Sequence, residues 1–140
     1  MAEKITDFES FWPYYIGEHR DASTRRLHTV GTTVALGCLA AFALTRKRSL
    51  LLATLVGGYG PAWVSHFFIE KNRPATFTYP LWSLRADLRM FRLTLLGQID
   101  AEVERILGEQ AAEGAAEAAP TNGASANGKV GNGATAAASN

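Results

Sequence analysis

Between positions 27 and 69 the chain carries fixed charge in one place only, the turn Thr45-Arg46-Lys47-Arg48. On either side lie two uncharged apolar runs, residues 27–44 and 49–69. Runs of this length leave two options, a buried hairpin or a pair of membrane spans. Three features favour the spans. Charges bracket both runs cleanly, the runs are matched, and small residues recur at fourfold spacing. Thr33, Gly37 and Ala41 do so in the first, Ala53 and Gly57 in the second. Small residues at that spacing let helices approach closely in lipid. Lys and Arg flank the outer ends of the hairpin (Lys4, Arg20, Arg25, Arg26, then Lys71, Arg73, Arg85, Arg89, Arg92) more heavily than its turn. The positive-inside bias therefore puts both termini in the cytoplasm of a multi-pass membrane protein.

The flanks read as amphipathic helices. Residues 5–18 begin with the capping-box spacing Thr6-x-x-Glu9 and repeat Phe8, Phe11, Trp12 and Tyr15 at helical intervals, with Pro13 as an interruption. Such aromatics suit either a headgroup belt or a packed stripe. Gly57-Gly58-Tyr59-Gly60-Pro61 loosens the second run, which fits an acyl groove or a simple packing kink. After Pro74 and Pro80, residues 81–107 carry a continuous apolar stripe through Leu84, Leu88, Phe91, Leu95, Ile99, Val103 and Ile106. Arg85, Arg89 and Arg92 make its first half basic and suited to an anionic lipid surface, while Asp100, Glu102 and Glu104 make its second half acidic. Residues 108–140, rich in Ala, Gly, Asn and Ser, read as a disordered tail behind a membrane-embedded domain of residues 1–107. The fold class expected is all-α: an integral membrane helical hairpin with flanking amphipathic helices and a disordered C-terminal tail.

Function classes narrow quickly. A net charge of +1 without a basic stripe gives no footprint for nucleic acid. The single Cys38 lies inside an apolar run and reads as a small hydrophobe. No phosphate-cradling loop or nucleophile elbow is present. Acidic residues precede the first apolar run, which reads as mature structure rather than a secretory leader.

Histidine is the exception. The chain has three, and Lys47 lies midway between His28 and His66. Each leg of the hairpin rises roughly 28 Å at about 1.5 Å per residue, close to a hydrocarbon core of about 30 Å. A crossing and return thus brings His66 back to the level of His28, on the side where His19 lies. Glu70, one turn beyond His66, adds a carboxylate on the same helical face. Imidazoles plus a carboxylate suit a non-haem iron or a zinc ion, and residue type does not choose between them. Lys71, Arg73 and Arg25 ring the same surface. They serve either to snorkel and orient, or to hold a fatty-acid carboxylate, for which Arg73 has the matching planar fork.

Tyr15-x-x-x-His19, His28, and the block Gly58-Tyr59-Gly60-x-x-Trp63-x-x-His66-Phe67-x-x-Glu70-Lys71-Asn72-Arg73-Pro74-Ala75-Thr76-Phe77 resemble a family of small membrane proteins whose fungal member is a 2-hydroxy fatty acid dioxygenase. The resemblance covers about residues 8–95. It implies an Fe(II)-dependent enzyme using dioxygen to shorten a 2-hydroxy fatty acid by one carbon, with His19, His28 and His66 as ligands and catalytic residues. Membrane lipid, a fatty-acid substrate and dioxygen are then its partners. The fungal form has further membrane segments between the motif blocks, and an Asn usual between the first two histidines is replaced here by the Ser23-Thr24 neighbourhood. The competing expectation is a non-catalytic membrane scaffold or lipid-binding module in which the histidines only pack.

Overall fold

The computed structural model describes residues 4–118, and the described chain is all-α. α1 (Phe8–Gly17) leads through a short loop to α2 (Ala22–Thr45). A tight turn reverses the chain into α3 (Ser49–Ser65), which continues into a π-helical turn, His66–Glu70. A 3-10 turn (Ala75–Phe77) precedes α4 (Pro80–Leu95) and α5 (Ile99–Ala118).

Asp7 caps α1, not Thr6. Its carboxylate accepts from the Ser10 backbone N–H at 2.8 Å and from the Ser10 hydroxyl at 2.9 Å. A carboxylate makes the stronger, charge-assisted bond at a helix N-terminus, so the cap forms one residue later than the capping-box spacing suggests. The helix passes through Pro13, whose carbonyl accepts from Gln110 Nε2 on α5 at 3.0 Å.

The aromatics of α1 are core. Phe8, Phe11, Trp12, Tyr15 and Ile16 are buried against Ala86 and Met90 of α4 and Ile99, Val103 and Ile106 of α5. Arg85 lies 3.9 Å over the Phe8 ring and Arg89 4.3 Å over Trp12. Two of the three arginines expected to face lipid thus also lie over aromatic faces.

Residues 81–107 form two helices rather than one. Gly97 adopts a left-handed φ of 66° and turns the chain between α4 and α5. Leu95 and Ile99 are four residues apart, so the apolar spacing runs unbroken across a turn that only the glycine marks. The Ile99, Val103 and Ile106 stripe is buried as expected, but α4 buries Ser83, Ala86 and Met90 and leaves Leu84, Leu88 and Leu95 exposed. The small side chains at 83 and 86 give the rings of α1 room to seat. α5 runs about three turns past Leu107. Residues 119–140 of the expected tail lie outside the described residues.

α2 and α3 pack along a very tight seam. A methyl at Gly31 would come within 2.6 Å of the Gly58 carbonyl oxygen, and one at Gly57 within 2.5 Å of Val34. Gly37, by contrast, has nothing within 4 Å, and Thr33 is exposed. The Thr33-Gly37-Ala41 stripe is therefore not the seam; Gly31 and Ala35 meet Gly57 and Gly58. Much of the remaining hairpin surface is exposed. Leu39, Leu52, Leu55, Val56, Val64 and Phe68 are all exposed, and Cys38 is half-buried. Among the described residues α2 alone is long and apolar enough to cross a membrane, and only 11% of its most apolar window is buried.

Two outcomes follow for stability. Gly31→Ala forces the seam apart and is expected to cost about 1–3 kcal/mol, the range for overpacking, whereas Gly37→Ala, in open space, is expected to gain about 0.5–1 kcal/mol from helix propensity; urea unfolding measures both. Trp12 Nε1 donates to Glu102 at 2.8 Å, and Arg105 donates to the same carboxylate at 3.0 and 3.1 Å. Hydrogen bonds from Arg105 first, then Trp12, hold Glu102 below its ordinary value against the opposing effect of burial. Its stabilisation is complete above an unfolded value of about 4.3 and is lost as pH falls through the lower folded one. The stability gap between wild type and Glu102→Gln should be constant above about pH 5.5 and narrow below about pH 4.3.

Candidate metal centre

Three segments bring three imidazoles together. His19 follows the last turn of α1, His28 lies in the second turn of α2, and His66 opens the π-helical turn after α3. All three are buried, and their ring centroids are 4.5, 4.6 and 5.2 Å apart with interplanar angles of 81–88°. One ring nitrogen of each lies within 4.8 Å of the others.

Each Nδ1 has a partner behind it. His19 Nδ1 lies 2.6 Å from the Tyr15 carbonyl, His28 Nδ1 2.8 Å from Asp87 Oδ1, and His66 Nδ1 2.7 Å from Asn72 Oδ1. A carbonyl and a carboxylate only accept. The Asn72 amide is fixed too, because its Nδ2 donates to the Glu18 carbonyl at 3.0 Å and to the Glu18 carboxylate at 2.8 Å. Every Nδ1 therefore carries a proton, and in the neutral ring each Nε2 presents a lone pair.

The backbone explains how His66 finds Asn72. The π turn ends at Lys71, whose φ of 56° is left-handed, and the Asn72 N–H returns to the His66 carbonyl at 3.0 Å. A non-glycine residue in that region is strained by roughly 1 kcal/mol or more. π turns recur at functional sites because they redirect side chains.

Lone pairs facing one another are unfavourable unless something positive lies between them. His19 Nε2 and His28 Nε2 are 3.2 Å apart, with both protons committed elsewhere. A proton is a poor solution, since burial and then the nearness of His28 and His66 hold His19 well below the ordinary imidazole value. A divalent cation is a good one. Three neutral imidazoles, each with its far nitrogen hydrogen-bonded, are the donor set such ions take, with positions left for other ligands.

Asp87 also accepts from the Tyr15 hydroxyl, and the Tyr15 ring stacks on His19 with centroids 4.0 Å apart. Burial, then the charge of Asp87, holds the Tyr15 hydroxyl well above the usual phenol value, so it remains a donor. Asp87 and Asn72 are the site residues that sequence reasoning did not single out. Asp87 is the one acid in α4, set among arginines between Leu84 and Leu88. That oddity was its only signal.

The other expected site residues are placed elsewhere. Glu70 Oε1 accepts from the Asp21 N–H at 2.8 Å, at the start of α2, and is not among the clustered ligand atoms. Arg25 is buried and donates to the His19 and Arg20 carbonyls at 3.1 and 2.7 Å while pairing with Asp100 at 3.0 Å. It pins the loop that carries His19. Lys71 is the exposed left-handed residue. Arg73 is exposed, its guanidinium 5.3 Å from the centre of the Phe77 ring, which packs on Trp63.

His28 and His66 open onto a cavity of about 400 Å³ between α2, α3 and α4. His28, His66 and Asp87 line it at one end, and Leu36, Leu39 and Leu55 further along the hairpin. Trp63 forms part of its wall. The size falls in the usual range for small-molecule sites, and the shape is one polar end with an apolar run.

A family described as 2-hydroxy-palmitic acid dioxygenase Mpo1-like matches residues 5–99, a stretch that includes all three histidines, Asn72 and Asp87. No curated protein and no solved structure matches the chain.

Removing the support behind one imidazole should weaken metal binding without abolishing it. Asp87→Ala is expected to lower affinity for Zn²⁺ or Co²⁺ by about 10–100-fold, the usual effect of losing a partner behind a ligating histidine. Asp87→Asn, which keeps an oxygen for His28 Nδ1, should stay near wild type. Calorimetric titration of the purified protein measures both, and equal affinities for wild type and Asp87→Ala would remove Asp87 from the site.

Proposed function

The chain belongs to the Mpo1-like family, and from that membership we propose that it is a membrane-bound, Fe(II)-dependent dioxygenase shortening 2-hydroxy fatty acids by one carbon. The observation that carries the reading is the convergence of three buried imidazoles, each with its Nδ1 hydrogen-bonded outward, two of them lining the polar end of an apolar cavity.

His19, His28 and His66 hold the iron, and Tyr15, Asp87 and Asn72 fix their orientation. When bound, iron supplies the capacity to activate dioxygen for oxidation beside the hydroxyl-bearing carbon. In balanced form, one acid and one dioxygen yield the shortened acid, carbon dioxide and water. The protein's part is to bind, orient and exclude water. The cavity takes the alkyl chain along Leu36, Leu39 and Leu55 and leaves the carboxyl end at the histidines. Arg73, stacked on Phe77, which packs on the cavity-wall residue Trp63, is the cation proposed to attract the carboxylate on its way in. Glu70 works at one remove, holding the N-terminal end of α2 and with it His28.

The hairpin is the membrane anchor in this reading. Its large apolar side chains are exposed around both helices, and the helical path from Ser49 to Glu70 is long enough to return across a bilayer beside α2. Both termini and the α1–α4–α5 core then lie on the cytoplasmic side, where the flanking Lys and Arg belong.

Metal analysis of anaerobically purified protein tests the site. Stoichiometric iron is expected in wild type. It should be lost in His66→Ala, whose helical circular dichroism is retained, together with oxygen-dependent conversion of 2-hydroxypalmitate to the acid one carbon shorter. Iron unchanged in all three His→Ala variants, or conversion without oxygen, would contradict the proposal.

A further inference from the structure

Asp87 has one oxygen committed and one free. Oδ1 accepts from both His28 Nδ1 and the Tyr15 hydroxyl. Oδ2 accepts no hydrogen bond among the described residues, yet it is not sealed off, and the side chain keeps 20% of its surface exposed. That side chain lines the polar end of the cavity, whose lining among the described residues includes no lysine or arginine to neutralise it. A carboxylate oxygen half-withdrawn from water strongly favours a hydrogen-bond donor.

We propose that Asp87 Oδ2 accepts the hydrogen bond of the 2-hydroxyl group and so selects 2-hydroxy acids over their unsubstituted counterparts. The inference rests on the substrate class proposed above and assigns the residue that reads its distinguishing group. A second carboxylate against Oδ2 would be repelled, so the neutral O–H on the adjacent carbon is the group that fits there. An unsubstituted acid offers only C–H at that position and leaves Oδ2 without a partner. Sites built to bond a hydroxyl reject ligands that lack it for this reason. One carboxylate thereby couples the metal ligand His28 to the group beside the reacting carbon.

Binding without turnover separates this from a purely structural role. Affinities for 2-hydroxypalmitate, 2-methoxypalmitate and palmitate are measured by calorimetry on metal-loaded, anaerobic protein in detergent. The methoxy oxygen cannot donate. Wild type should prefer the hydroxy over the methoxy acid by about 10–100-fold, the span of a hydrogen bond to a charged group. In Asp87→Asn, with the amide oxygen still turned toward His28, the amide NH₂ replaces Oδ2, and the preference should collapse toward one at equal metal content. Tight binding of 2-methoxypalmitate by wild type, or a wild-type ratio retained in Asp87→Asn, would overturn the inference and leave the proposed activity standing. Wild type that binds none of the acids and converts none would instead overturn the substrate class itself, and this inference with it.

Discussion

Three hydrogen bonds on the far sides of three imidazoles organise this molecule. Each Nδ1–H points outward, to the Tyr15 carbonyl, the Asp87 carboxylate and the Asn72 amide oxygen, so each Nε2 lone pair points inward. The inward arrangement is electrostatically poor by itself, with two of these nitrogens 3.2 Å apart. It becomes favourable with a cation between them, and ion binding then contributes to the stability of the folded state. Every element near the site serves this geometry. α1 provides Tyr15 and the approach to His19, α2 and α3 bring His28 and His66 to one level, and α4 provides Asp87.

That juxtaposition has structural costs, and they are visible. The hairpin needs backbone-to-backbone proximity at Gly31, Gly57 and Gly58, where no side chain fits. Lys71 adopts a left-handed conformation after a π turn so that Asn72 can fold back on His66. Arg25, charged and buried, is spent holding the His19 loop through two carbonyls and Asp100. Strain and buried charge gathered around one cluster are what a functional site looks like when the surrounding fold supports it.

Much of this was legible in the sequence. The helical class, the hairpin turn and the meeting of His28 with His66 follow from run length and helical rise, because a rigid rod fixes where its ends lie. Other features were hidden for physical reasons. The Leu95–Ile99 interval masks the turn at Gly97, since the chain reverses without disturbing the spacing. The Thr33-Gly37-Ala41 stripe has the right chemistry for close packing but faces outward, because the contact is set by Gly31 and the paired glycines of α3. Asp87 and Asn72 act through contacts with residues far away in sequence or across an irregular turn, which periodicity does not report. Glu70 keeps the helical spacing from His66 that suggested a ligand, but the π turn widens the helix there and its carboxylate goes to Asp21.

The protonation pattern of the histidine rings tests the central claim most directly. Nitrogen-15 NMR of histidine-labelled, metal-free protein near neutral pH distinguishes the two neutral tautomers ring by ring. The expected result is three Nδ1–H tautomers, with all three Nε2 signals shifting when Zn²⁺ is added. A stable Nε2–H tautomer at any of the three positions, or Nε2 signals unmoved by the metal, would contradict a site built from converging lone pairs.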